Sequence, residues 1–316
     1  MKILGLETSC DETSAAVVKD GKEVLSNIVS SQVDFHRKYG GIVPEIAARK
    51  HAEVINAVIA EAMEQAGVGF NDLAAVAVTD RPGLPGALLV GVCAAKAISF
   101  AQEIPLIRVN HIIGHIYANF VSVNPNDKIQ NPKFPFICLV VSGGHTELML
   151  VKGHGEYQGL GRTRDDAAGE VFDKVARFLK LGYPGGPLID QMAKSGNARA
   201  ISFPRSVVDG YDFSFSGLKT AVINYVKKNG TGNINDLAAS FQQAVVDVLV
   251  DKALKAARDF KVDSIALAGG VSANSLLREQ FQSKGEQARL NILIPAPAYC
   301  TDNAAMIAAA GYYARV

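Results

Sequence analysis

Apolar and polar residues follow one another along this chain in two recurring patterns. Short apolar runs, which are typical of buried strands, occupy residues 2–8, 73–80, 104–110, 136–142, 264–268 and 290–297. Apolar or small residues at helical spacing predict helices near residues 44–66, 86–101, 109–120, 169–182, 236–260, 275–283 and 301–316. Because strands alternate with helices, the chain is predicted to be an α/β protein.

The strand pattern begins again near residue 136. In both copies an apolar run leads into a short loop and then into a strand pair. The first loop carries Asp11 and Glu12, and the second carries Gly143 and Gly144. This similarity predicts a duplicated structural unit whose loops have diverged.

The duplication predicts two lobes with a cleft between them. The N-terminal lobe is expected at residues 1–117, with the last helix, 300–316, packing back on it, and the C-terminal lobe at residues 118–299. The stretch 122–135 is rich in Asn and Pro and is the most linker-like part of the chain.

Composition narrows the class of protein. The chain has 316 residues, of which 48% are hydrophobic, so it can bury a large core. Its formal net charge is only +1, so a polyanion would have to bind a local patch or need help from a partner. The four cysteines show no CxxC pairing, the N-terminus begins directly with a strand-like run, and charges interrupt every apolar run. These features predict a cytoplasmic protein that does not span a membrane.

Three loops with small residues each follow a buried strand, at residues 7–14, 141–146 and 268–274. Glycine lets the backbone approach a ligand, and exposed N–H groups suit phosphate oxygens. A single loop of this kind is usually a tight turn, but three in a duplicated frame predict a phosphate-containing ligand. The chain has neither a GxxxxGK[ST] nor a GxGxxG motif, so P-loop and dinucleotide-binding folds have no support.

His111 and His115 are four residues apart and therefore lie on one face of the predicted helix. On a helical wheel they point away from the apolar stripe, which leaves two hypotheses, a metal site or a solvated polar face. Gly114 lies between them and would leave room for a ligand. The HExxH glutamate of a zinc protease is absent, which argues against that activity.

A metal site needs at least a third ligand beyond two imidazoles. The residue pattern leaves four candidates open, Asp11, Glu12, His145 and Asp302. Three other histidines, His36, His51 and His154, are interpreted as ordinary polar positions in loops or on helix surfaces, whereas His145 is a candidate for contact with substrate.

Seven blocks of sequence together resemble one protein family. They are "GLETSCDETS", "GHIYA", "VSGGHTEL", "DDAAGEVFDKVARFLKLGYPGGP", "FSFSGLKT", "LAGGVSAN" and "CTDNAAMIA". In this order, over essentially the whole chain, they resemble the TsaD (Gcp/YgjD) family of bacterial tRNA N6-adenosine threonylcarbamoyltransferases. The resemblance implies the duplicated, two-lobed actin-like ATPase fold that sugar kinases and heat-shock chaperones share.

The resemblance also implies a reaction. Such an enzyme is an acyltransferase that moves the threonylcarbamoyl group from threonylcarbamoyl-adenylate to N6 of adenosine 37 in tRNAs reading ANN codons. The alternative that the fold leaves open is an ATP-dependent small-molecule kinase.

Site residues follow from the resemblance by matching motifs. One divalent metal per subunit is expected on His111, His115 and Asp302; these ligands suit Fe²⁺ and Zn²⁺ alike, and Fe²⁺ is the expected ion. Contacts to the donor, or to ATP or ADP in the same site, are expected from Val141, Ser142, Gly143, Gly144, His145, Asp173, Gly186, Asp190 and Asn274. Independently of the resemblance, we hypothesise that Asp11 or Glu12 is the general base, because both carboxylates lie in the first loop.

The resemblance implies four partners: tRNA, a TsaB-like paralogue, a TsaE-like ATPase and the synthase that supplies threonylcarbamoyl-adenylate. The helices at 46–66 and 86–101 are candidate docking faces, although packing within the lobe explains most of their apolar residues equally well.

Overall fold

A computed structural model describes residues 1–122, 132–206 and 208–315. The chain forms two compact units, unit 1 with Met1–Asn131 and Ala296–Val316, and unit 2 with Pro132–Pro295. The predicted linker at 122–135 lies mostly outside the described residues.

Unit 1 contains a five-stranded sheet in the described residues. Its strands are β1 (Lys2–Glu7), β2 (Glu12–Lys19), β3 (Glu23–Ser31), β4 (Leu73–Arg81) and β5 (Leu106–Asn110). The order is β3-β2-β1-β4-β5, with β1, β2 and β3 antiparallel and β4 and β5 parallel to β1. The chain turns between β2 and β3 at Asp20 and Gly21, whose φ angles of 52° and 68° suit a tight hairpin.

Five helices accompany this sheet. They are α1 (Val33–Arg37), α2 (Pro44–Ala66), α3 (Pro85–Gln102), α4 (His111–Tyr117) and, from the end of the chain, α10 (Ala304–Arg315). The apolar stripe predicted on α2 is buried, and α2 ends at Gly67 with φ of 62°. By length and composition α3 is apolar enough to cross a membrane, yet it packs on α2 and β4. Gly5 of β1 lets α10 approach closely, because a Cβ there would lie 2.2 Å from the carbonyl oxygen of Ala304.

Unit 2 repeats the same plan. Its strands are β6 (Phe136–Val141), β7 (Thr146–Gly153), β8 (Glu156–Arg162), β9 (Ser264–Ala268) and β10 (Asn291–Leu293), in the order β10-β9-β6-β7-β8. The strands β6, β7 and β8 are antiparallel, and β9 and β10 run parallel to β6. Position by position this is the order of unit 1, so the predicted duplication is confirmed.

The helices of unit 2 enclose its core. They are α5 (Ala168–Phe178), α6 (Gly185–Ala193), α7 (Ser216–Asn229), α8 (Ile234–Asp259) and α9 (Ser275–Gln287). The sequence pattern did not predict α6 or α7. The central helix α8 is buried along most of its length, and its Phe241 stacks edge-on against Phe172 of α5 at 5.4 Å.

Candidate functional site

Helix α4 presents both histidines of the pair inside unit 1. Asn110 caps its first turn by accepting a hydrogen bond from the backbone N–H of Ile112 at 2.8 Å. His111 is 6% exposed and His115 is fully buried, so the solvated polar face considered above is wrong. The expectation that Gly114 makes room for a ligand is also wrong: a Cβ there would lie 2.6 Å from Ile307 of α10, so the glycine permits the two helices to pack.

Asp302 is the third member of the cluster. Its Oδ1 lies 3.5 Å from Nε2 of His111 and 3.2 Å from Nε2 of His115. The next residue, Asn303, accepts a hydrogen bond from the N–H of Met306 and so fixes the start of α10, directly after Asp302. Among the described residues these three form a group whose ligand atoms all lie within 4.8 Å of one another.

This geometry fits a metal ion. Ligand atoms at bonds of about 2.1 Å in a tetrahedral site stand roughly 3.4 Å apart, close to the two distances from Asp302. Both ring nitrogens of His115 are buried; among the described residues Nδ1 has no hydrogen-bond partner, and Nε2 has only the poorly directed contact with Asp302 at 3.2 Å. A buried polar atom without a partner is unfavourable, and coordination would satisfy Nε2.

Glu7, at the end of β1, contacts Nδ1 of His111, the ring nitrogen that does not face Asp302. Its Oε2 lies 3.0 Å from Nδ1 of His111 and accepts a hydrogen bond from Thr79 at 2.6 Å, while Oε1 accepts one from the N–H of Ser9 at 2.5 Å. A proton on Nδ1 donated to Glu7 leaves Nε2 directed at Asp302, as metal-bound histidines require. Sequence reasoning missed Glu7, although a carboxylate closing a buried strand was a usable signal.

The pKa values of the two histidines are shifted in opposite directions in the metal-free chain. Burial alone would lower the pKa of His111, but Asp302 and Glu7 raise it to about 9. Burial lowers the pKa of His115. Burial opposes ionisation of Glu7, yet the facing His111 imidazolium leaves its pKa below the ordinary value. His111 is therefore charged and His115 neutral near pH 7.

The charge of Asp302 also acts on the first loop, which carries Asp11 and Glu12. Burial, then Asp11, then Asp302 raise the pKa of Glu12 well above its usual range. The loop is held by Gln32, whose N–H donates to the carbonyl of Asp11 at 3.0 Å, and by Ser31, whose hydroxyl donates to Oε1 of Glu12 at 3.2 Å.

Two other histidines support this loop, which corrects the expectation that they are surface positions. His51 is fully buried, with Nε2 3.1 Å from the carbonyl of Cys10 and Nδ1 2.7 Å from Oγ1 of Thr13. His36 is fully buried as well, with Nε2 3.3 Å from Oε1 of Gln32.

In unit 2 the second and third loops are neighbours. Ser142 and His145 close a tight turn, with the N–H of Ser142 donating to the carbonyl of His145 at 2.8 Å. Gly269 has φ of 87°, and a Cβ there would lie 2.3 Å from the carbonyl oxygen of Val141. A Cβ at Gly143 or Gly144 would meet no described atom within 4 Å, so this backbone is open to a ligand.

The other residues of unit 2 that the resemblance predicts to contact threonylcarbamoyl-adenylate lie around α6 and the start of α9. Oδ1 of Asp173 accepts from the N–H of Gly185, next to the open Gly186. Oδ1 of Asp190 accepts from the hydroxyl of Ser275 at 2.7 Å. Asn274 caps α9, and its Nδ2 donates to Gln242 at 2.9 Å, so both ends of its amide already have partners.

Comparisons with known proteins identify what the chain is similar to. A model of the TsaD family, described as tRNA N6-adenosine threonylcarbamoyltransferase, matches residues 23–309. A curated protein of that name from Symbiobacterium thermophilum is 58% identical over 98% of this chain and 91% of its own length. One from Clostridium perfringens is 56% identical over 98% of this chain and 92% of its own.

Solved structures share the fold at low identity. Component A of (R)-2-hydroxyglutaryl-CoA dehydratase from Acidaminococcus fermentans matches with a TM-score of 0.55 and 16% identity, covering 99% of this chain and 98% of its own. HypF from T. kodakarensis matches with a TM-score of 0.66 and 15% identity, covering 99% of this chain and 48% of its own. The predicted actin-like ATPase fold is thereby confirmed.

Proposed function

The chain belongs to the TsaD family of tRNA N6-adenosine threonylcarbamoyltransferases and forms threonylcarbamoyladenosine in tRNA, and we propose that a divalent metal on His111, His115 and Asp302 assists this transfer. The observation that carries the metal proposal is the cluster of two buried histidines and the partly buried Asp302, in which His115 has no other partner among the described residues. The kinase alternative is not favoured, because relatives at 55–58% identity carry the transferase name.

We propose Fe²⁺ as the resident ion, although two imidazoles and one carboxylate also suit Zn²⁺. When bound, the metal acts as a Lewis acid that polarises the carbamoyl group of the donor. Glu7 keeps the Nδ1 proton of His111 in place, so that Nε2 is available for coordination.

The donor in this proposal is threonylcarbamoyl-adenylate, held by unit 2, with ATP or ADP as other ligands of the same site. Support comes from the open backbone at Gly143, Gly144 and Gly186, where N–H groups can reach phosphate oxygens without a side chain in the way. His145 belongs to the same turn and borders a cavity of about 500 Å³ together with Arg162.

The acceptor is the N6 amine of adenosine 37 in tRNAs reading ANN codons. Its nitrogen forms a bond to the carbamoyl carbon, the bond from that carbon to the phosphate oxygen breaks, and AMP leaves with the electron pair. One N6 proton must be removed, and we assign this to Glu12 or Asp11. Burial and the neighbouring carboxylates raise the pKa of Glu12, which makes its carboxylate a stronger base than an ordinary glutamate.

Partners are proposed on the same basis: a TsaB-like paralogue, a TsaE-like ATPase and a synthase for the donor, all in the cytoplasm. The stripe predicted on α2 is mostly core, which favours α3 as the docking face. On α3, Leu89 is 62% exposed and Phe100 is 87% exposed.

The test is reconstituted transfer. Purified protein, its partners, synthase, threonine, bicarbonate, ATP and unmodified tRNA are combined, and tRNA nucleosides are quantified by mass spectrometry. His111→Ala, His115→Ala and Asp302→Asn should each lose bound metal and at least about 100-fold in transfer. His154→Ala, an exposed histidine of unit 2, is the matched control and should retain both.

Metal identity is tested by removing the ion with a chelator and adding back Fe²⁺ without oxygen or Zn²⁺. Restoration by Zn²⁺ alone would refute the assignment of iron. Full transfer by the metal-depleted protein would refute the metal proposal while leaving the transferase activity intact.

A further inference from the structure

Unit 1 carries an exposed aromatic and basic surface just after β3. We call it the α1 patch, and it consists of Phe35, Arg37, Lys38, Tyr39 and Lys50. Phe35 is 48% exposed and Tyr39 is 52% exposed. These two residues are four positions apart, in a segment that is helical through Arg37 and still right-handed at Lys38, so their side chains project from the same side.

Lysine ammonium groups lie over both rings. Nζ of Lys50 is 4.6 Å from the centroid of Phe35, and Nζ of Lys38 is 4.9 Å from the centroid of Tyr39. Arg37 pairs with Asp34 at 3.2 Å, and both side chains are largely exposed, so the pair is weak and a phosphate can compete with it. The patch therefore combines aromatic faces with three nearby cations.

The buried side of the same segment holds it in place. His36, between Phe35 and Arg37, is fully buried and lies 3.3 Å from Oε1 of Gln32. Its Nδ1 accepts a hydrogen bond from the N–H of Val43 at 3.3 Å, which ties the segment to the start of α2. A short helix with a buried polar anchor presents its two rings in a fixed position, which lowers the entropy lost when a ligand stacks on them.

We propose that the α1 patch is a stacking platform for unpaired bases of the tRNA anticodon loop, an inference that rests on the proposed function. Proteins recognise single-stranded RNA by stacking its bases on aromatic side chains while Lys and Arg contact the phosphates. This chemistry also explains how a chain with a net charge of only +1 could bind a polyanion, because the positive charges of a local patch attract it even though the protein as a whole is nearly neutral.

The position of the patch agrees with this role. Gln32, which contacts His36, also donates its N–H to the carbonyl of Asp11 at 3.0 Å, and the preceding Ser31 contacts Glu12 at 3.2 Å. The platform thus begins at the residues that hold the proposed general base. A base stacked there would bring the anticodon loop next to the first loop of unit 1.

The test measures the KM of transfer for tRNA and, separately, the Kd for unmodified tRNA by fluorescence anisotropy, both with full-length protein. Phe35→Ala and Tyr39→Ala should each raise both constants about tenfold, since one stacked base contributes roughly a tenfold change or more. The kcat at saturating tRNA should stay within about twofold, because neither ring touches reacting atoms. Phe35→Tyr and Tyr39→Phe keep a stacking face and should restore both constants.

Phe70→Ala is the matched control, because Phe70 is another exposed phenylalanine of unit 1, at 38% exposure, in a short 3₁₀ turn. It should leave both constants unchanged. Lys38→Gln and Lys50→Gln should reduce the dependence of tRNA affinity on salt concentration, as expected for lost phosphate contacts.

Three results would overturn the platform: unchanged KM and Kd in both alanine variants, an equal effect of Phe70→Ala, or loss of binding to a protein subunit with tRNA affinity intact. The last result would identify the patch as a protein interface. Absence of transfer by the unaltered protein would instead count against the proposed function, because direct tRNA binding is measured independently.

Discussion

Oε2 of Glu7 lies 3.0 Å from Nδ1 of His111, although 104 residues separate them in the chain. The contact joins the end of β1 to the start of α4 and lets Nδ1 of His111 keep its proton when Nε2 loses its own to coordinate a metal. Glu7→Gln keeps the size of the side chain but removes its charge, so the tautomer and ring orientation are no longer enforced. We expect metal affinity to fall by about 10–100-fold, measured by competition with a chromophoric chelator.

A readout on the metal-free protein separates this positioning role from general damage. In this protein both ring nitrogens of His111 are protonated at pH 7, and loss of the Glu7 charge should lower the His111 pKa from about 9, which the ¹⁵N chemical shifts of the ring report in a pH titration. Because Glu7 also accepts from Thr79 and Ser9, the variant should lose about 1–3 kcal/mol of unfolding free energy. Unchanged ring shifts together with unchanged metal affinity would contradict the role given to Glu7.

Metal binding should release a proton at neutral pH. The pKa of His111 is raised to about 9 in the metal-free chain by Asp302 and Glu7, which outweigh burial, so the ring is charged at pH 7 and must lose its Nε2 proton to coordinate. The pKa of His115 is lowered by burial, so this ring is already neutral. We expect about one proton released per metal at pH 7, and affinity rising roughly tenfold per pH unit up to about pH 9.

Calorimetry in buffers of different ionisation enthalpy counts the released protons. The same shift makes the metal-free fold more stable below pH 6.5, where His111 is charged in both the folded and the unfolded state, and this contribution is lost as pH rises through about 9. Release of no proton at pH 7 would show that His111 is neutral before the metal binds.

Sequence reasoning recovered the architecture better than it recovered the surroundings of the site. Apolar runs located the six strands β1, β4, β5, β6, β9 and β10, because buried strands are short and apolar, and the strand pairs that follow the two loops accounted for the other four of the described residues. The helices α6 and α7 were missed because their hydrophobic pattern is short and begins beside Gly or Ser. Which third residue joins the histidine pair depends on how α10 packs on β1, so the residue pattern left Asp302 among four candidates and the resemblance singled it out.

Burial of histidines was the least predictable feature. A polar residue on a helix gives no sign from sequence that its partners lie on a distant strand, as Thr13 and the carbonyl of Cys10 do for His51. The helical wheel placed the histidines of α4 away from the apolar stripe and left two hypotheses, a metal site and a solvated polar face, of which the solvated face is wrong. In the structure α4 is buried on nearly every side.

His51→Ala should destabilise the fold, because it leaves the hydroxyl of Thr13 and the carbonyl of Cys10 without their buried partner. The expected loss is about 1–3 kcal/mol in the unfolding free energy from urea titration. His154→Ala, at an exposed position, should change it by less than about 0.5 kcal/mol. An equal effect of both substitutions would contradict the buried bridge.

The pH dependence of stability gives a second check on His51. Burial lowers its pKa, so below pH 6.5 the unfolded chain binds a proton that the folded His51 does not, and stability falls with falling pH. His51→Ala removes this contribution, so the variant should lose less stability than the unaltered protein between pH 6.5 and the lowered folded pKa. Parallel stability curves over this range would be the contrary outcome.

Two glycines of unit 2 should respond to alanine in opposite ways. At Gly143 a Cβ meets no described atom within 4 Å, so Gly143→Ala should preserve the fold and leave the Tm unchanged. The added methyl group should obstruct the proposed donor, threonylcarbamoyl-adenylate, and raise the KM for it. At Gly269 the φ of 87° and the 2.3 Å approach to Val141 mean that Gly269→Ala should cost about 2 kcal/mol or more of stability. Thermal unfolding and donor titration distinguish the two. A drop in Tm for Gly143→Ala with KM unchanged would refute the donor-loop assignment.

Phe100, at 87% exposure on α3, is too open to be explained by packing within unit 1. Leu89 of the same helix is 62% exposed, and large exposed apolar side chains are typical of a protein interface. Phe100→Ser should weaken binding of the proposed TsaB-like partner about tenfold or more, measured by calorimetry, since a central aromatic contact contributes at least about 1.4 kcal/mol. Phe70→Ser provides an exposed phenylalanine elsewhere in unit 1 and should leave the affinity unchanged. If Phe100→Ser binds the partner as tightly as the unaltered protein, α3 is not the docking face. Sedimentation of the same variant would then show whether the exposed side of α3 joins two copies of this chain.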